Sequence, residues 1–364
     1  MNPGSAKRIL IAPLDWGLGH TTRCIPIIRR LLALNCEVVF AGNDLQQTFV
    51  TRIFPQIGFV HLPGYAVNYG RGALLPALLQ QLPRLVRRVR MEHDWLLQLV
   101  ADARIDGIIS DNRYGLWHPE IPSVILTHQA EIQTGFTSVA NGILRHIHYR
   151  FLNRFSACWI IDVAGEENLG GRLSHPQRLP RHSHYIGWLS QLVPSKQHKA
   201  GDHLLILLSG PEPQRSMLSD KLWQQVSSLS MPVVFVEGDA KAYRNNVPAH
   251  IRHFPRVAGA ELQDLIEKAQ IVVCRSGYST LMDLLLLKKK AILIPTPGQT
   301  EQEYLARTLL HRGAFYAAPQ KNFSLEKALE ASVRFPFRLL AENGQHQLLA
   351  PVLDEWVNAI PVRL

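Results

Sequence analysis

Residues 8–20, RILIAPLDWGLGH, and residues 203–214, HLLILLSGPEPQ, state the same pattern twice along the chain. Each opens with a short apolar run, passes a turn containing Gly or Pro, and enters a stretch with helical spacing, near 22–34 and 215–229. A continuous apolar run of this length reads as a strand covered on both faces, and the helix after it supplies the crossover to a parallel neighbour. Strands alternating with helices in this way indicate doubly wound α/β domains.

Outward from these two passages, further strands are expected near 36–41, 57–62, 106–110, 123–127 and 158–162, with helices near 74–101 and 137–154. In the second half, strands fall near 232–237, 270–274 and 290–295, and helices near 259–268, 278–287, 301–312 and 324–332. A chain of 364 residues suits two domains. The polar, irregular stretch LSQLVPSKQHKAGD separates them. We assign an N-terminal Rossmann-like domain to 1–189, a C-terminal Rossmann-like domain to 190–345 and a terminal helical segment to 346–364. Leu348, Leu349, Val352, Leu353 and Trp356 give that segment an apolar face, and Pro351 either kinks it or marks its start.

The net charge of +10 favours anionic partners: nucleic acid, anionic lipid or phosphorylated substrates. Aromatic residues make up 8% and are dispersed, without the stacking platforms a nucleic-acid binder needs, so that reading ranks low. Cys24, Cys36, Cys158 and Cys274 form no CxxC pair and sit in apolar stretches. They read as buried free thiols of a cytoplasmic protein. The apolar run near the N-terminus is too short for a signal sequence, and no uncharged apolar run approaches the ~20 residues of a membrane span.

A peripheral membrane contact has one candidate. Residues 73–90, ALLPALLQQLPRLVRRVR, combine Leu74, Leu75, Leu78, Leu79, Leu82, Leu85, Val86 and Val89 with Arg84, Arg87, Arg88 and Arg90. Pro76 and Pro83 are expected to break the helix into pieces. Such a basic amphipathic segment can lie on an anionic surface; a core helix with solvated arginines explains it as well.

Ligands of open parallel sheets bind outside the carboxyl ends of the strands, so the loops there hold the candidates. Gly17 and Gly19 let a backbone approach a ligand, and His20 at the helix start can take a proton from an acceptor hydroxyl, or simply pack. Thr22 stands where a dinucleotide fingerprint wants its third glycine, which disfavours NAD. Asp111, Asn112 and Arg113 follow one strand, and His128, Gln129 and Glu131 another; these loops suit an acceptor, with capping and turn chemistry as the plain alternative. In RSGYSTLMD, Ser276 and Gly277 open a helix whose N–H groups can hold a diphosphate, and Asp283 can accept ribose hydroxyls. In PTPGQTEQEY, Thr300 and Glu303 fit a capping box, while Gln302 beside Glu303 suits sugar hydroxyls. Ser209 and Gly210 are candidates for a phosphate loop. There is no DxD sequence and no zinc-type Cys/His spacing, so no metal site and no cofactor are expected.

Here the sequence resembles the family 28 glycosyltransferases, in particular the bacterial N-acetylglucosaminyltransferases that complete the peptidoglycan lipid precursor. The resemblance is most specific from Cys274 to Ala306, where RSG, the acidic Asp283 and the QEY of Gln302–Tyr304 stand at the family's spacing. The GLGH of Gly17–His20 is similar to the family's N-terminal glycine loop. The resemblance implies a GT-B fold, two Rossmann-like domains facing a cleft. It further implies an inverting, metal-independent hexosyltransferase that uses a UDP-sugar as co-substrate. On this reading Asp283 meets the ribose, Gln302 and Glu303 meet the sugar, and Ser276 and Gly277 lie near the donor. His20 assists an acceptor that is a glycan or lipid-linked. The protein would be cytoplasmic or peripheral on the cytoplasmic face of a membrane.

The sequence departs from the family at three places: SGPEPQ carries two prolines where the family is glycine-rich, Asp283 is one methylene shorter than the usual Glu, and Glu303 replaces an amide. A UDP-sugar 2-epimerase of the same fold is the enzymatic alternative; it needs an acid/base carboxylate pair, and none stands out.

Overall fold

The computed structural model describes residues 6–64, 74–132, 138–195, 201–338, 340 and 348–361. The chain divides into two compact units. One takes in most of the chain up to Leu189 together with the C-terminal segment; the other is built chiefly from Ser190–Glu342.

The first unit contains β1 (Arg8–Pro13), α1 (Leu18–Ala33), β2 (Glu37–Gly42), α2 (Asp44–Ile53), β3 (Gly58–His61) and α3 (Leu74–Asp102). It continues with β4 (Gly107–Asp111), β5 (Ser123–Thr127), α4 (Ser138–Leu152), β6 (Ala157–Ile160) and β7 (Ser183–Tyr185). The seven strands form one parallel sheet in the order β3-β2-β1-β4-β5-β6-β7. Ile9, Leu10, Ile11 and Ala12 of β1 are wholly buried, as a strand covered on both faces requires. β1 pairs with β2 on one side and β4 on the other, so strand order reverses there. The loops after β1 and β4 therefore lie side by side, and the Leu14 N–H donates to the Asp111 carbonyl at 2.9 Å.

The second unit contains β8 (His203–Leu207), α5 (Gln214–Val226), β9 (Val233–Val236), β10 (Ile251–Phe254), α6 (Gly259–Lys268) and β11 (Ala269–Cys274). α7 (Tyr278–Leu286), β12 (Ala291–Leu293), α8 (Thr300–His311), β13 (Tyr316–Ala317) and α9 (Leu325–Val333) complete it. Its six-stranded sheet is also parallel, ordered β10-β9-β8-β11-β12-β13, over a core that includes Leu204, Ile206, Phe235, Val273 and Ile292. β8, between β9 and β11, is the second switch point.

The last helix, α10 (Leu349–Ala359), packs on the first unit. Trp356 meets Trp159 edge-on at 5.6 Å between ring centroids, and Asp354 accepts from Arg30 Nε of α1 at 2.7 Å. Gly107 lies beneath it; a Cβ there would stand 2.7 Å from the Trp356 ring. Pro351 falls in the first turn of α10, so it marks a start rather than a kink.

Several elements differ from expectation for identifiable reasons. α1 begins at Leu18, four residues early, because Gly17 at φ 92° caps it. α2 was not expected; Asn43 and Gln46 close a capping box that starts it. The short strands β7 and β10 carry polar residues and β13 has only two residues, which hides them from an apolar-run criterion. α3 continues through Pro83 as one helix, with Pro76 in its first turn. On α3, Arg84, Arg87 and Arg90 are exposed, whereas the side chains of Leu74, Leu75, Leu78, Leu79, Leu82 and Leu85 lie outside the described residues. No helix among the described residues is long and apolar enough to cross a membrane. All four cysteines are free and buried.

Candidate functional site

In the first unit the switch point brings five of the expected residues together around one that was not expected. Arg23, fully inside α1, donates from Nε to Asp111 Oδ2 at 2.6 Å and from Nη2 to Asp111 Oδ1. Its Nη1 lies 3.0 Å from His128 Nδ1, and its Nη2 lies 2.7 Å from His20 Nδ1. His20 Nδ1 is also 3.0 Å from Asp111 Oδ2. Asn112, in the left-handed region at φ 55°, completes the ring. With its amide oxygen toward Arg23 Nη2 (3.3 Å), its nitrogen donates to the Leu126 carbonyl and Thr127 Oγ1 at 3.2 Å. Gln129 is half-buried beside this ring, with its backbone N–H on Thr127 Oγ1 at 3.0 Å. Gly17 turns the chain into α1, and Gly19 lies within its first turn.

Electrostatics follow from burial and from Arg23. Burial raises the Asp111 carboxyl, but Arg23 and His20 outweigh it and hold the group well below the ordinary carboxylate range. Burial, with Arg23 adding to it, lowers the His20 imidazole against the pull of Asp111, so the ring is neutral near pH 7. The two neighbours of Nδ1 make opposite demands: Asp111 wants a proton there, and Arg23 can only donate. When Nδ1 carries the proton toward Asp111, Nε2 is left as an acceptor.

Arg113 has a different place from the one expected. It is fully buried, donates to the Pro13 carbonyl at 2.9 Å and pairs with Glu92 of α3 at 2.6 Å. It braces the ends of β1 and β4 rather than facing an acceptor.

In the second unit, the candidates lie on the loops after β8 and β11 and on the helices α7 and α8 that follow β11 and β12. Arg275 is their hub. Its Nη1 donates to the carbonyls of Ile294 (3.1 Å) and Pro295 (3.2 Å), and its Nη2 to the Gln214 carbonyl (2.7 Å). No carboxylate neutralises it among the described residues, its Nε is buried without a partner, and burial lowers the guanidinium to about 10. Thr296 Oγ1 is likewise buried without a partner.

Ser276 is fully buried and its hydroxyl donates to the Gln302 carbonyl at 2.8 Å, so only its backbone can meet a ligand. Gly277 caps α7 without any side-chain bond, and nothing lies within 4 Å of where a Cβ would stand. The helix start is thus open to close approach.

Asp283 is half-buried, and burial pushes its carboxyl up to about 7 although the Ser190 hydroxyl donates to Oδ1.

The expected capping box of Thr300 and Glu303 does not form, because α8 is capped one residue earlier, at Gln299, without a side-chain bond. Glu303 Oε1 instead accepts from the Gly298 N–H at 2.9 Å, and Gln302 Oε1 accepts from the Thr296 N–H at 2.9 Å. Both side chains therefore hold the loop, with acceptor and donor capacity left over.

Ser209 and Gly210 are exposed, and Gly210 has φ 106°. The α5 start beyond them already holds a carboxylate: Glu212 accepts from Ser216 Oγ at 2.9 Å and pairs with Arg215. An anion at this helix start would meet negative charge, which disfavours a phosphate role.

Among the described residues no group of three or more His, Cys, Asp or Glu is placed to hold a metal ion. Sequence reasoning missed Arg23, Ser190 and the role of Arg275. The signal for Arg23 was a cation directly before the apolar run CIPII and three residues after His20, hence on the same helix face.

Two parallel α/β units of this construction define the GT-B architecture. The solved structure of glycosyltransferase SnogD from Streptomyces nogalater is similar over 98% of this chain and 96% of its own, with TM-score 0.61 and 16% identity. MurG from Acinetobacter baumannii is similar over the same shares, with TM-score 0.53 and 14% identity. Residues 258–351 match the glycosyltransferase family 28 C-terminal domain.

Curated relatives are UDP-N-acetylglucosamine--N-acetylmuramyl-(pentapeptide) pyrophosphoryl-undecaprenol N-acetylglucosamine transferases. That of Desulforudis audaxviator is 43% identical over 77 residues, 21% of this chain and 19% of the relative. That of Prochlorococcus marinus is 24% identical over 162 residues, 43% of this chain and 44% of the relative. The chain thus spans between about a fifth and less than half the length of these relatives.

Proposed function

We propose that the protein is an inverting, metal-independent glycosyltransferase that takes a hexose or N-acetylhexosamine from a UDP-sugar. The observation that carries the reading is the placement of Arg275, Gly277, Asp283, Gln302 and Glu303 on two adjoining segments, the turn after β11 with α7 and the first turn of α8, all within the stretch matching the family 28 domain. Arg275 and the uncapped start of α7 supply positive potential with no counter-anion among the described residues, which suits a diphosphate. Asp283 accepts the ribose hydroxyls, and the spare capacity of Gln302 and Glu303 meets the sugar. In the transfer, the acceptor oxygen attacks the anomeric carbon, the bond to UDP breaks, and His20 Nε2 takes the acceptor's proton. His20 is neutral for this role, with Asp111 orienting its other nitrogen. The relatives' lipid-linked acceptors and the exposed arginines of α3 support a lipid-linked acceptor met at an anionic membrane surface.

Calorimetry with UDP, followed by turnover of a panel of UDP-sugars with and without EDTA, tests the reading. UDP binding and EDTA-resistant release of UDP are expected. Absence of UDP binding refutes the donor assignment, and epimerised sugar in place of transfer favours the 2-epimerase alternative. Proton NMR of the product's anomeric centre reports inversion. Co-sedimentation with anionic vesicles at low salt, reversed at high salt, is the expected membrane behaviour; no sedimentation favours a soluble acceptor.

A further inference from the structure

Asp283 makes its side-chain contact with a residue outside the loops described above. Ser190 opens the long stretch of the second unit, 93 positions away in sequence, and its hydroxyl donates to Asp283 Oδ1. The hydroxyl has one proton to give. The Leu192 N–H donates to the same Ser190 oxygen at 3.0 Å, which occupies a lone pair and directs that proton at the carboxylate. Among the described residues Ser190 is the one side-chain partner of Asp283, and burial and this bond are the two influences on the carboxyl; no neighbouring charge contributes.

We infer that Ser190 is a positioning residue for nucleotide binding: it pins Oδ1 of Asp283, leaves Oδ2 to the ribose hydroxyls, and favours the ionised carboxylate that those hydroxyls need. This rests on the assignment of Asp283 to the ribose. The physical need is specific to this chain. A carboxylate with no cation beside it and half removed from water is driven toward its neutral acid, a poor acceptor for two hydroxyls. A donor committed to one oxygen opposes that drive without occupying the other.

UDP affinity is to be measured by calorimetry from pH 6 to 9 for the wild type, Ser190→Ala, Ser190→Thr and Asp283→Asn. The ratio of wild-type to Ser190→Ala affinity at each pH cancels the ligand's own phosphate ionisation. Loss of the hydroxyl moves the carboxyl titration upward. A move of one pH unit lowers the ionised fraction at pH 7 roughly fivefold, and affinity with it. Near pH 9 the two proteins should agree within about twofold. Ser190→Thr, which keeps the hydroxyl, should restore the wild-type profile. A ratio that does not vary with pH overturns the positioning role, because a merely structural contact would weaken UDP equally throughout. If the wild type binds UDP and Asp283→Asn binds it equally well, the ribose assignment has failed, and this inference with it. Circular dichroism melts establish that each variant is folded.

Discussion

Asp283→Asn should separate stability from function. In the native protein the carboxyl is raised from 3.8 to about 7, chiefly by burial. Because the native value is the higher one, the folded protein holds a proton between those limits that the unfolded chain has released. Stability is then greatest below 3.8, falls as pH rises through about 7, and is flat above. The full displacement corresponds to about 4 kcal/mol, at 1.36 kcal/mol per tenfold. The group is only half-buried, so water screens it, and about 1–2 kcal/mol is the expected part. Asparagine keeps the shape and accepts from Ser190 but never carries the charge. The variant should therefore be more stable than wild type by about 1–2 kcal/mol at pH 8 and lose that advantage at pH 4.5. The same change removes a charged partner from the ribose and should weaken UDP about ten- to hundredfold. Urea denaturation at the two pH values, with calorimetry at pH 8, measures both effects. A variant with the wild-type dependence of stability on pH would refute the buried-carboxylate argument, and unchanged UDP affinity would refute the ribose contact.

His20→Ala should cut turnover about 10²–10⁴-fold with little change in UDP affinity, and the wild-type rate should rise with pH along a limb below the ordinary histidine range, since burial lowers this imidazole; wild-type turnover in the folded variant would remove the base role. Gly107→Ala places a Cβ 2.7 Å from Trp356 and 2.8 Å from Ile360, and should cost about 1–3 kcal/mol in urea unfolding as α10 is pushed from the sheet. Glu212→Gln should leave UDP affinity within about twofold, because the diphosphate is assigned to the start of α7; a marked gain would return it to the Ser209–Gly210 loop, where the Glu212 charge now stands. Gln302→Ala should impair an intact UDP-sugar more than UDP, and should also lower stability by about 1 kcal/mol because Gln302 holds the Thr296 N–H; equal losses for both ligands would leave only the loop-holding role.

The parallel α/β character was legible because buried strands such as Ile9–Ala12 and Leu204–Ile206 must be apolar on both faces. β10 and β13 were not, since the edge strand β10 tolerates Arg252 and His253 and β13 is only two residues long. The positions of the site residues were partly legible. Switch-point topology places the loops after β1 and β4 together, so His20 and Asp111 could be named from sequence alone. What each side chain does there was not legible. Thr300 and Glu303 fit a capping motif, yet the start of α8 one residue earlier sends Glu303 to Gly298 instead. Ser190 lies in a polar linker, and nothing local marks it as the partner of a carboxylate 93 positions on.

The two buried arginines point to different chemistry at the two sites. Arg23 faces Asp111 through two of its nitrogens, so that ring of residues is charge-balanced without a ligand. A balanced, largely buried ring with a neutral imidazole suits removal of a proton from an uncharged hydroxyl, where a fixed excess charge would bias His20 toward one protonation state. Among the described residues Arg275 has carbonyl partners and no carboxylate, and its Nε is unused. A buried charge without a counter-charge costs several kcal/mol, and the cost is offset only when an anion arrives. An anion close enough to interact with Arg275 should raise the lowered guanidinium toward its ordinary range while gaining binding energy from it. Replacing Arg275 with Met should on that ground leave the apo protein folded but weaken UDP far more than uridine, which lacks the phosphates. Equal losses for UDP and uridine would mean that Arg275 only ties the three loops together.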